Sequence, residues 1–178
     1  MKSTLFRTLI IMLGMVMSLS LVSCGDDDDN NEPENPKTVA YYDANYGIDL
    51  KDAWFEFFDV TVSYVNEAGE VKTETIGSNK VLSVRIAANK APDAISFKIH
   101  VTRKASVSEV DPTKPIDFKG QATFNVQAYL TDGTKGTSYG YLFPENTNGT
   151  IIGGADLEKF LEKYNNKDIF DRSFDLKK

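Results

Sequence analysis

The chain has one cysteine and one histidine in 178 residues, and these two scarcities remove several chemistries together. With no second cysteine there is no intramolecular disulfide, so stability has to come from packing or from partners. Zinc sites need three or four His, Cys or carboxylate ligands, a set this chain supplies poorly. Nucleophilic catalysis of the Ser-His-Asp or Cys-His kind needs an imidazole beside the nucleophile. His100 lies between Lys98 and Thr102 on the polar side of an alternating run, so it reads as a surface residue, and no nucleophile elbow is expected to serve it. Phosphate-binding glycine loops are missing as well: Gly153-Gly154 lacks the flanking residues that grip a phosphate. Acids are plentiful, but a glycosidase pair is defined by geometry rather than abundance. No catalytic residue, cofactor or metal is expected, and the chain reads as a non-enzyme.

Basic residues are also in short supply, 20 against 26 acidic ones, for a net charge of −6. An acidic surface disfavours nucleic acid and anionic lipid headgroups as partners.

The first residues are unlike the rest. Lys2 and Arg7 precede an uncharged stretch from Thr8 to Val22 dominated by Leu, Ile, Met and Val, which is the order of a secretory signal. The stretch is short of the ~20 residues of a spanning helix. Leu21-Val22-Ser23-Cys24 looks like a lipobox, the site at which bacterial lipoproteins are diacylated on the cysteine sulfur and cleaved just before it. That resemblance implies a signal peptide at residues 1–23 and a mature chain that begins at Cys24, carrying palmitate-type acyl chains. Each buried methylene contributes ~0.8 kcal/mol and stable anchoring takes about two chains, so the membrane would be a lasting partner. Cleavage removes Lys2 and Arg7 from the 20 basic residues and none of the 26 acidic ones, leaving a net charge near −8.

Residues 24–37 continue from the cysteine through Gly-Asp-Asp-Asp-Asp-Asn-Asn-Glu-Pro-Glu-Asn-Pro-Lys, with no apolar side chain after Cys24. Such a segment buries too little surface to offset its chain entropy and is expected to be a disordered acidic tether. Extended, it reaches at most ~45 Å. Adjacent aspartates lack the spaced ligands and Gly turn of a calcium loop, so no metal is assigned to Asp26 to Asp29. An acidic run just after the lipidated cysteine resembles the export signal of surface lipoproteins of Bacteroidota. The resemblance is confined to signal peptide, lipobox and acidic run, and it implies an outer-membrane address facing the cell exterior.

Residues 38–178 are enough for one domain with a real core. Phe58, Val60, Val62 and Tyr64 share one face of an alternating run. Asn66-Glu67-Ala68-Gly69-Glu70 supplies a turn, and Val71 to Ile76 returns as an edge strand guarded by Lys72 and Glu74. Leu82, Val84 and Ile86 alternate, as do Ile95, Phe97, Ile99 and Val101, then Ala122, Phe124, Val126, Ala128 and Leu130, then Ser138 to Phe143. Leu157, Phe160, Leu161 and Tyr164 form the one helical stripe, predicting a helix over 155–165. Ile169, Phe170, Phe174 and Leu176 suggest a last strand, while residues 38–50 are ambiguous. Hairpins without βα alternation predict an all-β fold, an antiparallel β-sandwich of immunoglobulin-like type with seven to nine strands and one accessory helix. A lipocalin-like β-barrel is the alternative.

Tyr41, Tyr42, Tyr46, Trp54, Phe55, Phe57 and Phe58 crowd into eighteen residues. With Trp54 to Phe58 read as strand, rings occupy both faces, and either one set fills the core while the other packs beneath further elements, or some rings stand exposed. The first reading is favoured. In the second, Trp54 with Tyr42 and Tyr46 would be the platform on which a sugar stacks or a partner anchors. Three roles follow: a non-catalytic binding module for a glycan or protein, a structural adhesin or fimbrial-type assembly subunit pairing through its edge strand, or a small-molecule carrier with a barrel cavity.

Overall fold

Among the described residues, ten strands and two short α-helices follow one another in the computed structural model. Pro36–Lys178 forms one compact unit, of which residues 36–106, 111–143 and 151–177 are described. Residues 38–50, ambiguous in sequence, supply β1 (Val39–Leu50), which turns Ala44, Tyr46, Ile48 and Leu50 inward. Then come α1 (Asp52–Phe57), β2 (Phe58–Val65), β3 (Val71–Ile76), β4 (Lys80–Ala87) and β5 (Ala94–Arg103). The chain goes on through β6 (Pro115–Asp117), β7 (Gly120–Leu130), β8 (Lys135–Phe143), β9 (Ile151–Gly153), α2 (Leu157–Tyr164) and β10 (Lys167–Asp175).

Eight of these strands make two four-stranded antiparallel sheets, ordered β4-β1-β7-β8 and β10-β5-β2-β3, with β6 and β9 as a separate ribbon. The fold is an all-β sandwich. Alternation explains it: Val60, Val62 and Tyr64 on β2, Ile95, Phe97, Ile99 and Val101 on β5, and Ala122, Phe124 and Val126 on β7 are all buried between the sheets. Burying each large side chain contributes roughly 1.5–3 kcal/mol. Tyr46 sits at the centre, its ring 5.2 Å from Phe97 and 5.7 Å from Phe124.

Three expectations need correction. The sheets stay separate, so the lipocalin-like barrel is not formed, and aromatic side chains fill the interior that a carrier cavity would occupy. The immunoglobulin-like comparison holds for the layers and not for the strand order, because β1 lies inside its sheet between β4 and β7. Finally, Trp54 to Phe57 is helical rather than extended, giving a second helix and burying Trp54 and Phe57 together on one side of it.

That short helix is held from outside itself. Its leading residue Asp52 favours the N-terminal dipole, Lys51 N–H bonds the Lys119 carbonyl, and the Lys104 ammonium donates to the Phe55 carbonyl at 2.7 Å. The predicted C-terminal helix is present as α2 and buries Leu157, Phe160 and Leu161. Asn166, at φ 56°, takes the left-handed conformation that an asparagine tolerates and turns the chain into β10.

Strand directions sort the connections to two poles. The start of β1, the β2–β3 turn, residues 88–93, the β7–β8 turn and the end of β10 share one pole. Lys37, entering β1, pairs with Asp132 at 3.0 Å there. Both helices and the β6–β9 ribbon connect strand ends at the other pole.

Candidate functional site

Trp54 and Tyr46 are interior residues, 2% and 1% exposed. The Trp54 indole is enclosed by Phe58, Phe118, Phe160 and Tyr164. Tyr46 donates its hydroxyl to the Val65 carbonyl at 3.0 Å, and burial pushes its phenol well above the ordinary range. Tyr42 is half-buried against the edge of the same core. It shares the inner face of β1 with Tyr46, whereas Trp54 lies beyond the other end of that strand, so the three form no common platform. A sugar cannot stack on Trp54 or Tyr46 as they stand.

His100 lies on the outer face of the β10-β5-β2-β3 sheet. Its Nδ1 is 2.8 Å from Asp168 Oδ1 and its Nε2 is 3.1 Å from Asn166 Oδ1, so both ring nitrogens are occupied. His100, followed by Lys98, holds the Asp168 carboxyl below its usual range. Around them the hydroxyls pair among themselves, Thr61 with Thr75 and Ser63 with Thr73. One motif escaped the sequence reading: Gly136-Thr137-Ser138-Tyr139-Gly140 does have the Gly-x-Ser-x-Gly spacing. It gives no nucleophile elbow, because Ser138 stands within β8 rather than on a strand-to-helix turn. It also faces outward from the opposite sheet, with the whole sandwich between it and His100. Among the described residues no group of three or more His, Cys, Asp or Glu is placed to hold a metal.

The outer face of the β4-β1-β7-β8 sheet is built differently. Register sets its residues in rows across the strands: Ser83, Asn45, Asn125 and Gly140 in one, Val81, Gly47, Thr123 and Leu142 in the next. Ser83 donates to Asn45 Oδ1 at 2.7 Å, leaving the Asn45 amide hydrogens without an acceptor among the described residues. The side chains of Asn125 and Thr123 have no hydrogen-bond partner there at all.

No family model, curated protein or solved structure matches this chain. The geometry of the two faces is therefore the ground for comparing them.

Two glycines decide how these polar groups lie. A Cβ on Gly47 would meet Thr123 Oγ1 at 2.2 Å, and one on Gly140 would meet Asn125 Oδ1 at 2.9 Å. Each glycine thus lets a side chain of β7 lie flat, Thr123 toward β1 and Asn125 toward β8. One row nearer the β1 start, Arg85 clasps Asp43 through two bonds of 2.8 and 2.9 Å. Beyond it the Tyr41 and Tyr129 rings stack at 4.9 Å, with the Arg85 guanidinium 4.0 Å from the Tyr41 centroid. The composition of this face is not legible in sequence, since residues 38–50, which hold Asn45 and Gly47, are ambiguous there and Asn125 looks like an ordinary outward-facing position. Only pairing brings them together.

Cys24 and the leader lie outside the described residues. No helix among the described residues is long and apolar enough to cross a membrane.

Proposed function

We propose that this chain is a lipid-anchored lipoprotein of the cell surface, whose β-sandwich is a non-catalytic binding module for a glycan or protein. The anchor rests on the lipobox-like Leu21-Val22-Ser23-Cys24 and the acidic run after it. The binding role rests on one observation: the centre of the outer face of the β4-β1-β7-β8 sheet carries uncharged hydrogen-bonding groups, the Asn45 amide, Asn125 and Thr123, that have no partner among the described residues.

Within the sandwich, residues 36–38 enter β1 at the pole of the short turns, opposite the pole that carries both helices. Assembly through an edge strand is less well supported, because β3 points Lys72 and Glu74 inward, a device that hinders strand addition.

Labelling the full chain with radioactive palmitate in its host tests the anchor: Cys24→Ala should abolish incorporation. Protease treatment of intact cells should remove the domain if it faces outward, and protection would refute surface display. For the binding role, cells bearing the chain should adhere to glycan- or protein-coated surfaces better than cells lacking it; equal adhesion to every surface would count against a binding module.

A further inference from the structure

Granting that the domain is a binding module, we propose that Asn45, Asn125 and Thr123 form the centre of a site for neutral carbohydrate. Asn45 and Asn125 are direct cross-strand partners, about 5 Å apart at the backbone, with the Asn45 carboxamide turned toward Ser83 and that of Asn125 toward Gly140, so that together they span the four strands. A carboxamide offers a planar donor and acceptor together. Adjacent sugar hydroxyls, each both donor and acceptor, match that pairing. The Thr123 hydroxyl adds a third group in the next row.

Thr123 lies over Gly47 and Asn125 over Gly140, so the absence of a neighbouring side chain gives two of the three groups room to lie along the sheet and leaves the surface around them open. At the ends of the Thr123 row, Val81 and Leu142 are 54% and 53% exposed, offering apolar surface for the C–H faces of a sugar.

Charge selects the class. Asn45, Asn125, Thr123, Ser83 and the two glycines carry none; of the carboxylates in the flanking rows, Asp43 is clasped by Arg85 and Asp49 accepts from the Asn79 amide. No free cation stands in these two rows to hold a sulfate, phosphate or uronate. The centre of the opposite face is ionic instead: Lys98 pairs with Asp168 and Asp171, beside two hydroxyl pairs, Thr61 with Thr75 and Ser63 with Thr73.

The test is an array of neutral and acidic glycans probed with the purified full chain, alongside Asn45→Ala, Asn125→Ala and Gly140→Ala. The last displaces the Asn125 carboxamide without deleting it. Melting temperatures control for folding. A neutral glycan bound by the wild type, with affinity reduced about tenfold or more by either asparagine change and reduced also by Gly140→Ala, is the result expected. Neutral-glycan binding untouched by all three variants would overturn the site, and preference for acidic glycans would overturn the ligand class. Absence of glycan binding, with adhesion of chain-bearing cells to protein surfaces retained, would overturn the proposal and leave the binding module standing. Loss of both would remove the module as well.

Discussion

The Trp54 indole N–H donates to the main-chain carbonyl of Phe118, joining α1 to the segment that enters β7. Trp54 is thus a packing residue with its polar edge satisfied, set among Phe58, Phe118, Phe160 and Tyr164. Trp54→Ala should destabilise the fold by about 3–5 kcal/mol, read as a lower midpoint in urea. Trp54→Phe should lose less, since it keeps most of the ring volume and leaves one carbonyl without its donor. A Trp54→Ala protein of unchanged stability would contradict this placement.

Glu74 and Lys80 close one open side of the sandwich, β3 of one sheet reaching β4 of the other through an ion pair. Beside them Lys72 lies 5.9 Å from the Tyr64 ring centroid. Bonding to Lys80 holds the Glu74 carboxyl below its usual range. Its contribution is therefore present above the ordinary carboxylate pKa and is lost as pH falls through the lowered value. For a pair this accessible it amounts to about 0.2–1 kcal/mol. Specificity matters more here: replacing both Lys72 and Glu74 with valine should expose a plain apolar edge and raise self-association in sedimentation velocity. A strictly unchanged association state would show that these charges do not guard the edge.

Alternation made most strands legible, because one residue in two faces a core that only apolar side chains can fill. The runs around Val60, Ile99 and Phe124 are strands in the registers read, and Leu157, Phe160 and Leu161 mark a helix. β1 was harder: its inner face mixes Tyr42, Ala44 and Tyr46 with aliphatics, and Gly47 interrupts its outer face. α1 was misread because six residues are too few to show a 3.6-residue period. Its helicity follows from the tertiary cluster around Trp54, which local sequence does not contain. The candidate site was invisible for a related reason: Asn45 and Asn125 meet only through strand pairing.

Gly69 and Gly133 both have positive φ, 81° and 83°, yet they differ in surroundings. A Cβ at Gly69 would fall 1.8 Å from the Lys90 carbonyl oxygen, whereas one at Gly133 meets nothing within 4 Å. Gly69→Ala should therefore cost more than the 1–3 kcal/mol of a strained backbone alone, while Gly133→Asn, which tolerates that conformation, should fall within about 1 kcal/mol of the wild type. Thermal unfolding of the two variants distinguishes them, and equal losses would mean that contact with Lys90 is relieved without penalty.

Asp132 caps the β7–β8 turn by accepting bonds from the Thr134 hydroxyl and N–H, the latter at 2.9 Å. These bonds, the Thr134 hydroxyl first, with help from Lys37, bring its pKa down to about 2. A lowered carboxylate stabilises the fold above its unfolded value of about 3.9, and that contribution disappears as pH falls through about 2. A carboxyl-detected NMR titration should place the Asp132 midpoint near the lower figure. Thr134→Ala removes the hydroxyl and keeps the N–H, so the midpoint should rise part of the way toward the ordinary value. A larger rise with Lys37→Ala than with Thr134→Ala would instead make the ion pair at the tether the main cause.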